Sequence, residues 1–114
     1  MTLSALESQL AYMIKAYGLP EPKTQYRLPE LPERKFAWDF CWPCERLLVD
    51  VQGGTWVANS GHTSGTGLER DCEKMVLATL AGYRVMFVTG MQIKDGRAVQ
   101  WIERALKVVD ASEI

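Results

Sequence analysis

The spacing of apolar residues along the chain alternates between a helical and a strand-like pattern. Over residues 6–17 the apolar side chains recur every three or four positions, which predicts an amphipathic helix whose N-terminus is capped by Ser4 and Glu7. The same spacing returns over residues 68–79 and 98–109. We therefore expect helices at the beginning, in the middle and at the end of the chain.

The middle helix is expected to bury one stripe of side chains against the rest of the protein. The residues of this stripe recur at helical spacing, and they are Leu68, Cys72, Met75, Val76 and Thr79. The segment before this helix, residues 52–67, contains five glycines and shows no periodicity, which favours a long loop.

Between the first two helices the pattern is typical of β-strands. Aromatic residues occupy every second position from 36 to 42, so a strand there places the aromatic rings on one face and Asp39 on the other. Residues 43–46 predict a tight turn, and residues 47–51 predict the next strand.

The order of these elements is typical of an α/β fold. Residues 24–28 predict a short edge strand and residues 83–88 a third main strand, which gives the order helix, strands, helix, strand, helix. We expect a single domain over residues 1–114, built on a mixed sheet with helices packed against it.

The composition is that of an ordinary globular protein. Of the 114 residues, 47% are hydrophobic and 24% are charged, and the net charge is -1, which excludes a disordered, collagen-like or disulfide-stapled chain. Because no apolar stretch approaches the ~18 residues of a membrane helix and the N-terminus lacks a signal-peptide pattern, we expect a cytoplasmic protein. The near-neutral charge argues against a passive nucleic-acid coat, but not against an enzyme with a local basic surface.

A four-residue turn between the two central strands would bring two aspartates together. Counted back from the turn, Trp42 lies opposite Leu47 and Asp39 lies opposite Asp50. Directly opposed like charges destabilise a sheet, unless a cation such as Mg²⁺ lies between them. The alternative is that the register differs or that one aspartate points to solvent.

The residues around these acids resemble the PD-(D/E)XK nuclease superfamily, and in particular small phage and bacterial members related to very-short-patch-repair endonucleases. The likeness rests on residues 36–40, on residues 48–56, on the segment around His62 and on Asp71-x-Glu73-Lys74, and it spans about residues 7–106. It implies a restriction-endonuclease-like fold with a central mixed β-sheet flanked by helices. It also implies an enzyme that hydrolyses DNA phosphodiester bonds with Mg²⁺, for which Mn²⁺ would substitute.

The same resemblance implies roles for individual residues. The metal-binding positions would be Glu7, Asp39, Asp50 and the carbonyl of Val51. Gln52 stands where the superfamily usually has lysine, so Gln52 together with Lys74 or His62 would orient water and the scissile phosphate. Without the resemblance, Glu7 only completes a helix cap and Lys74 only pairs with Asp71 on its own helix.

Contact with DNA would come from local basic and aromatic residues. Arg34, Lys35 and Arg70 could meet phosphates, and Trp56 could stack on or wedge between bases. The alternative is a solvated surface and a core tryptophan. Because so small a domain offers limited contact area, a homodimer or a DNA-processing partner protein would enlarge the interface.

Three other functions compete with the nuclease. The first is a non-catalytic DNA-binding or assembly module on a degenerate nuclease fold, which Gln52 would mark. The second is thiol redox chemistry at Cys41-x-x-Cys44, although such pairs usually sit at a helix N-terminus. The third is a structural zinc site formed by Cys41, Cys44, His62 and Cys72, whose later spacings fit no standard pattern.

Overall fold

The structure of the protein is a computed structural model that describes residues 3–52 and 61–112. Side chains are described over residues 3–52 and 67–107. The elements within these residues are α1 (Ala5–Ala16), β1 (Lys23–Tyr26), β2 (Trp38–Trp42), β3 (Leu47–Gln52), α2 (Gly61–Leu80), β4 (Arg84–Thr89), α3 (Gly90–Lys94) and α4 (Arg97–Ser112). None of the described helices is both long and apolar enough to span a membrane.

The strands form one mixed sheet in the order β1-β2-β3-β4. β1, β2 and β3 are antiparallel neighbours, and β4 runs parallel to β3 because the chain crosses over through α2. This arrangement confirms the predicted α/β class with helices on a mixed sheet. The capping box of Ser4 and Glu7 at the start of α1 is also confirmed.

The turn between β2 and β3 sets the register that the sequence predicts. Its backbone is closed by hydrogen bonds from the Glu45 N–H to the Trp42 carbonyl at 3.2 Å and from the Arg46 N–H to the Pro43 carbonyl at 3.1 Å. Trp42 pairs with Leu47, and two further pairs follow up to Phe40 and Val49. The strand that leads to Asp50 is therefore held in a defined position relative to β2.

Each face of the sheet carries its own hydrophobic core. On one face α1, α3 and α4 cover a core to which Phe40, Val49 and Ile102 contribute fully buried side chains. On the other face α2 and the segment before β2 cover a smaller core that contains Leu48 and Ala78. Residues two positions apart in a strand share a face, so Asp50 lies on the same side as Leu48.

The alternation of β2 changes face at Asp39. Phe40 belongs to the core under α1, whereas Trp38 packs into the core under α2. The expected single face of four aromatic rings is therefore wrong, and Phe36 lies outside the strand. β1 changes face in the same way, since Thr24 lies on the side of Phe40 and Tyr26 packs against the core under α2. Gln25, between them, adopts a left-handed backbone with φ of 49°. A residue in this region does not continue the pleat of a strand, so side chains on its two sides need not alternate.

The middle helix differs from its prediction in extent and in orientation. α2 begins at Gly61, so the predicted loop is wrong over residues 61–67, where a continuing helix gains one hydrogen bond per residue despite the glycines. The predicted buried stripe is exposed: Leu68 is 62% exposed and Val76 is 54% exposed. The face that turns to the sheet instead carries Ala78 and the partly buried Lys74, because small and long-stemmed side chains fit close to the sheet.

A short helix lies in a segment that shows no apolar periodicity. α3 follows β4 directly and begins with a capping box in which Thr89 and Gln92 exchange side-chain and backbone hydrogen bonds. Ile93 is fully buried and fixes this helix in the core beside α4. A helix of five residues is too short for the periodicity that identifies longer helices.

Candidate active site

Asp39 and Asp50 meet where the regular pairing of β2 with β3 stops. The backbone N–H of Asp39 donates to Oδ1 of Asp50 at 3.0 Å, and the backbone N–H of Val51 donates to Oδ2 of Asp39 at 2.8 Å. Each carboxylate thus accepts a hydrogen bond from a backbone N–H of the opposite strand, and buried N–H groups need such acceptors. The structure brings together the two acids that the hairpin register predicts, through these crossed hydrogen bonds.

Lys74 reaches this pair from α2. Its Nζ lies 2.6 Å from Oδ2 of Asp50 and 2.9 Å from the carbonyl oxygen of Ala37. The lysine and aspartate side chains are only 11% and 10% exposed, and the ammonium lies 4.4 Å from the centre of the Trp38 ring. The ion pair of Lys74 is with Asp50, and not with Asp71 one turn earlier on its own helix.

Burial is the largest cause of the pKa shifts of Asp50 and Glu7. Removal from water raises the pKa of Asp50 to about 6, although Lys74 and the N–H of Asp39 act against this rise. Burial also raises the pKa of Glu7, and the neighbouring charge of Asp39 raises it further. Such raised values mark carboxylates that the fold crowds together in a poorly solvated place.

Glu7 comes close to Asp39 through a shared donor, the side chain of Gln25. The amide nitrogen Nε2 of Gln25 lies 3.4 Å from Oε1 of Glu7 and 3.3 Å from Oδ1 of Asp39. Glu7 also completes the helix cap, since the N–H of Ser4 donates to the same Oε1 at 3.4 Å. The capping role and the position beside Asp39 are therefore compatible.

Gln25 is a residue of this site that the sequence analysis missed. It lies on the edge strand β1, between residues that pair with Phe40 and Trp38, and hence beside Asp39. The pairing of β1 with β2 would have placed two polar side chains next to each other, and that is the signal that could have found it. Its left-handed backbone has no signal in the sequence, because glutamine is not a residue that favours this conformation.

The structure describes only some of the other residues that were predicted to take part in the chemistry. Gln52 ends β3 two positions after Asp50, so it lies on the same face of the strand, and its side chain is half-buried. Val51 pairs with Val88 in the sheet. His62 falls in the first turn of α2, but its side chain lies outside the described ones, as does Trp56 entirely. The roles of these residues stay predictions.

The predicted DNA-contacting cations gather on the α2 side of the sheet. Arg34 is exposed and forms an ion pair with Glu73 of α2 at 3.0 Å. The guanidinium of Arg70 lies 5.7 Å from the Phe36 ring, and Lys35 beside it is exposed. A small recess leads inward from here, lined by residues that include Arg34, Phe36, Trp38 and Lys74. Two cations, Arg34 and Lys74, thus line this recess, and Lys74 is the one that pairs with Asp50.

The donor set fits a hard divalent cation held by few protein ligands. Glu7 and Asp39 offer carboxylate oxygens, which suit Mg²⁺ or Mn²⁺, and such ions are commonly held by one or two carboxylates with water. Among the side chains of residues 3–52 and 67–107, no three from histidine, cysteine, aspartate or glutamate lie close enough to enclose a metal ion. The arrangement therefore fits an ion between Glu7 and Asp39 that keeps water or phosphate as further ligands, with Asp50 held by Lys74.

The cysteines give no support to the redox or zinc alternatives. Cys41 is buried, and burial raises the pKa of its thiol to about 12, whereas a redox thiol needs a lowered pKa. Cys41 and Cys44 form no disulfide, and Cys72, expected within a buried stripe, is exposed. Within the described part of the chain these thiols do not converge on a metal site.

The fold itself is similar to that of a known nuclease domain. No protein-family model matches the sequence, and no curated protein matches it. The structure is similar to the catalytic domain of the homing endonuclease I-Bth0305I, with a TM-score of 0.68 over 94% of this chain and 98% of that chain. The two sequences are 15% identical, so the likeness shows the fold. The chain has an α/β fold of the kind found in an endonuclease catalytic domain.

Proposed function

We propose that this protein is a metal-dependent DNA endonuclease of the PD-(D/E)XK type. The observation that carries the proposal is the buried ion pair between Lys74 and Asp50, at 2.6 Å, directly beside Asp39. Buried, unusually titrating acids next to a lysine are characteristic of catalytic sites. The similarity of the fold to a homing endonuclease catalytic domain supports the same function.

The proposal gives each charged residue of the site a part in phosphodiester hydrolysis. Glu7 and Asp39 would hold Mg²⁺, with the Val51 carbonyl as a further oxygen and with Asp50 kept beside them by its ion pair with Lys74. The ion would supply positive charge for the phosphate and increase the acidity of a bound water. Lys74 provides the lysine that the superfamily usually carries at the position of Gln52.

Lys74 suits the task of orienting water or phosphate because its position is fixed. An ammonium group has three donors, and two of them are held by the Ala37 carbonyl and the Asp50 carboxylate. The Trp38 ring supports the same group from 4.4 Å. A donor held in this way stabilises developing charge without having to reorganise during the reaction.

The residues around the recess supply the contact with DNA. Arg34 lines the recess, and the exposed Lys35 and Arg70 lie next to its residue Phe36, so these three cations can neutralise DNA phosphates. Trp56 and His62 are further candidates, for base stacking and for contact with phosphate. DNA processing in a bacterium or a phage-infected cell, with a homodimer or a partner protein, is the setting that we propose.

Cleavage of supercoiled plasmid and of a branched oligonucleotide tests the proposal directly. The reactions contain Mg²⁺, Mn²⁺ or EDTA and compare the wild type with Asp50→Asn and Lys74→Met. Each substitution is expected to reduce cleavage by about 100-fold or more, since each removes a group from the site of charge development. Asp95→Asn and Lys94→Met are matched controls, because both residues are exposed and lie outside the site.

Each outcome has a defined meaning. Metal-dependent cutting that both site variants lose and both controls keep supports the endonuclease. Protein that shifts DNA in a gel but never cuts it supports the non-catalytic binding module, for which the departure from lysine at Gln52 would be the cause. Cutting that persists in EDTA contradicts the metal-dependent mechanism.

A further inference from the structure

We propose that Gln25 is a positioning residue that holds Glu7 and Asp39 together so that they can share one divalent cation. The inference rests on the proposed function, because it takes these two carboxylates as metal ligands. It assigns a role to a side chain that lies on the edge strand and has no place in the mechanism described above.

The first step of the argument is the position of the amide group. Nε2 of Gln25 lies between Oε1 of Glu7 at 3.4 Å and Oδ1 of Asp39 at 3.3 Å. An amide nitrogen has two hydrogens, so a single Gln25 side chain can donate to both carboxylates at once. Without this donor the two negative charges repel each other, and they would have to be brought together when a cation binds.

The second step concerns charge. An amide donates hydrogen bonds but carries no charge, so Gln25 can hold the carboxylates without reducing their attraction for a cation. Lysine or arginine at the same place would also donate, but its positive charge would compete with the metal. Within the described contacts, both donors to Glu7 reach Oε1, which leaves the lone pairs of Oε2 for a cation.

The third step concerns the backbone. Gln25 has a φ of 49°, in the left-handed region that side-chain-bearing residues adopt only at an energetic cost. Glycine would adopt this conformation without strain, yet glycine has no side chain to reach the two acids. The position thus carries a strained backbone together with an amide that contacts two of the proposed ligands, and such strain is often found in functional sites.

Metal affinity and thermal stability together test the role of Gln25. Mn²⁺ is titrated into the wild type, Gln25→Met and Gln25→Gly, and the signal of free Mn²⁺ is followed by electron paramagnetic resonance. Both variants are expected to bind Mn²⁺ about 10-fold more weakly, the lower end of the effect known for residues that orient metal ligands. Gln25→Gly is expected to melt no lower than Gln25→Met, because both variants lose the same two hydrogen bonds and glycine relieves the strained backbone. Gln100→Met is the matched control, since Gln100 is exposed on α4.

The metal dependence of plasmid cleavage separates positioning from catalysis. The Mn²⁺ concentration for half-maximal cleavage should rise in both Gln25 variants by the same factor as the dissociation constant, while the rate at saturating Mn²⁺ stays near that of the wild type. A structural role alone would lower the melting temperature without this shift.

The failure of this inference can be told apart from failure of the proposed function. If the wild type binds Mn²⁺ and the Gln25 variants bind it equally well, the positioning role is overturned and the nuclease proposal stands. If the variants bind more weakly but the wild type cuts no DNA, the positioning role stands and the nuclease proposal falls. If the wild type does not bind Mn²⁺, both are overturned.

Discussion

Asp50→Asn should make the protein more stable relative to the wild type as the pH rises. The side chain of Asp50 is only 10% exposed, and its burial raises the pKa to about 6 from an ordinary value of 3.8. The folded state therefore holds this proton more tightly than the unfolded chain. By linkage, the contribution of Asp50 to stability is fully present below the unfolded pKa and is lost as the pH rises through the folded pKa.

The magnitude follows from the two pKa values. The difference between about 6 and 3.8 is about two pH units, and each unit corresponds to about 1.4 kcal/mol. The free energy of unfolding of the wild type thus falls by about 3 kcal/mol through Asp50 between about pH 4 and about pH 7. Asparagine does not titrate, so the variant does not undergo this fall.

Urea unfolding, followed by tryptophan fluorescence in the presence of EDTA, measures this effect. The variant and the wild type are compared at several pH values, and the difference between their free energies of unfolding should grow by about 3 kcal/mol. For a slope of about 1.5 kcal/mol per molar urea, this corresponds to a change of about 2 M in the relative midpoint. Asparagine keeps an oxygen that can accept from the N–H of Asp39, so the fold should be retained.

A matched control gives the opposite sign. Hydrogen bonds from Arg97 lower the pKa of the exposed Asp95, so Asp95→Asn should lose relative stability as the pH rises, by a small amount. The reasoning is refuted if the difference for Asp50→Asn stays constant with pH, or if it changes in the direction of the control. A constant difference would mean that Lys74 offsets the effect of burial on the Asp50 pKa, and a change in the direction of the control would mean that Lys74 outweighs it.

Two further predictions concern the remainder of the fold. Ellman's reagent should modify the two exposed cysteines in the folded protein and Cys41 only after unfolding, because burial raises the Cys41 pKa to about 12; equal reaction of all thiols would contradict its burial. Arg46→Met should lower the free energy of unfolding by about 2 kcal/mol, because Arg46 lies 3.1 Å from Glu30 and 3.9 Å from the Tyr83 ring. The exposed Arg104→Met is the control, and an equal effect of the two substitutions would argue against a stabilising role of these contacts.

The local parts of the fold could be predicted because they depend on short-range rules. The turn after Trp42 has the length that sets the hairpin register, and the pattern of Ser4 followed by Glu7 is sufficient to start α1. The sequence also identified Lys74 as a candidate for the site, although only geometry could show that it pairs with Asp50. Contacts between distant elements depend on which faces turn toward each other.

The orientation of α2 shows where periodicity misleads. Leu68 and Val76 define the more apolar stripe of this helix, yet both are exposed, while Ala78 is buried. A stripe predicts burial only if the sheet has room for its side chains. Here the sheet side already holds Trp38, so the helix presents a small residue and the stem of Lys74.

The change of strand face at Asp39 connects the irregular part of the fold with its chemistry. Had β2 kept its alternation, Trp38 would lie under α1 and could not support the ammonium of Lys74. Because the strand turns at Asp39, regular pairing ends there, and the N–H groups of Asp39 and Val51 need other acceptors. The two carboxylates provide them, and this fixes Asp39 beside Asp50, which Lys74 contacts. The departure from a regular sheet, which periodicity cannot predict, is therefore the feature that assembles the charged groups of the site.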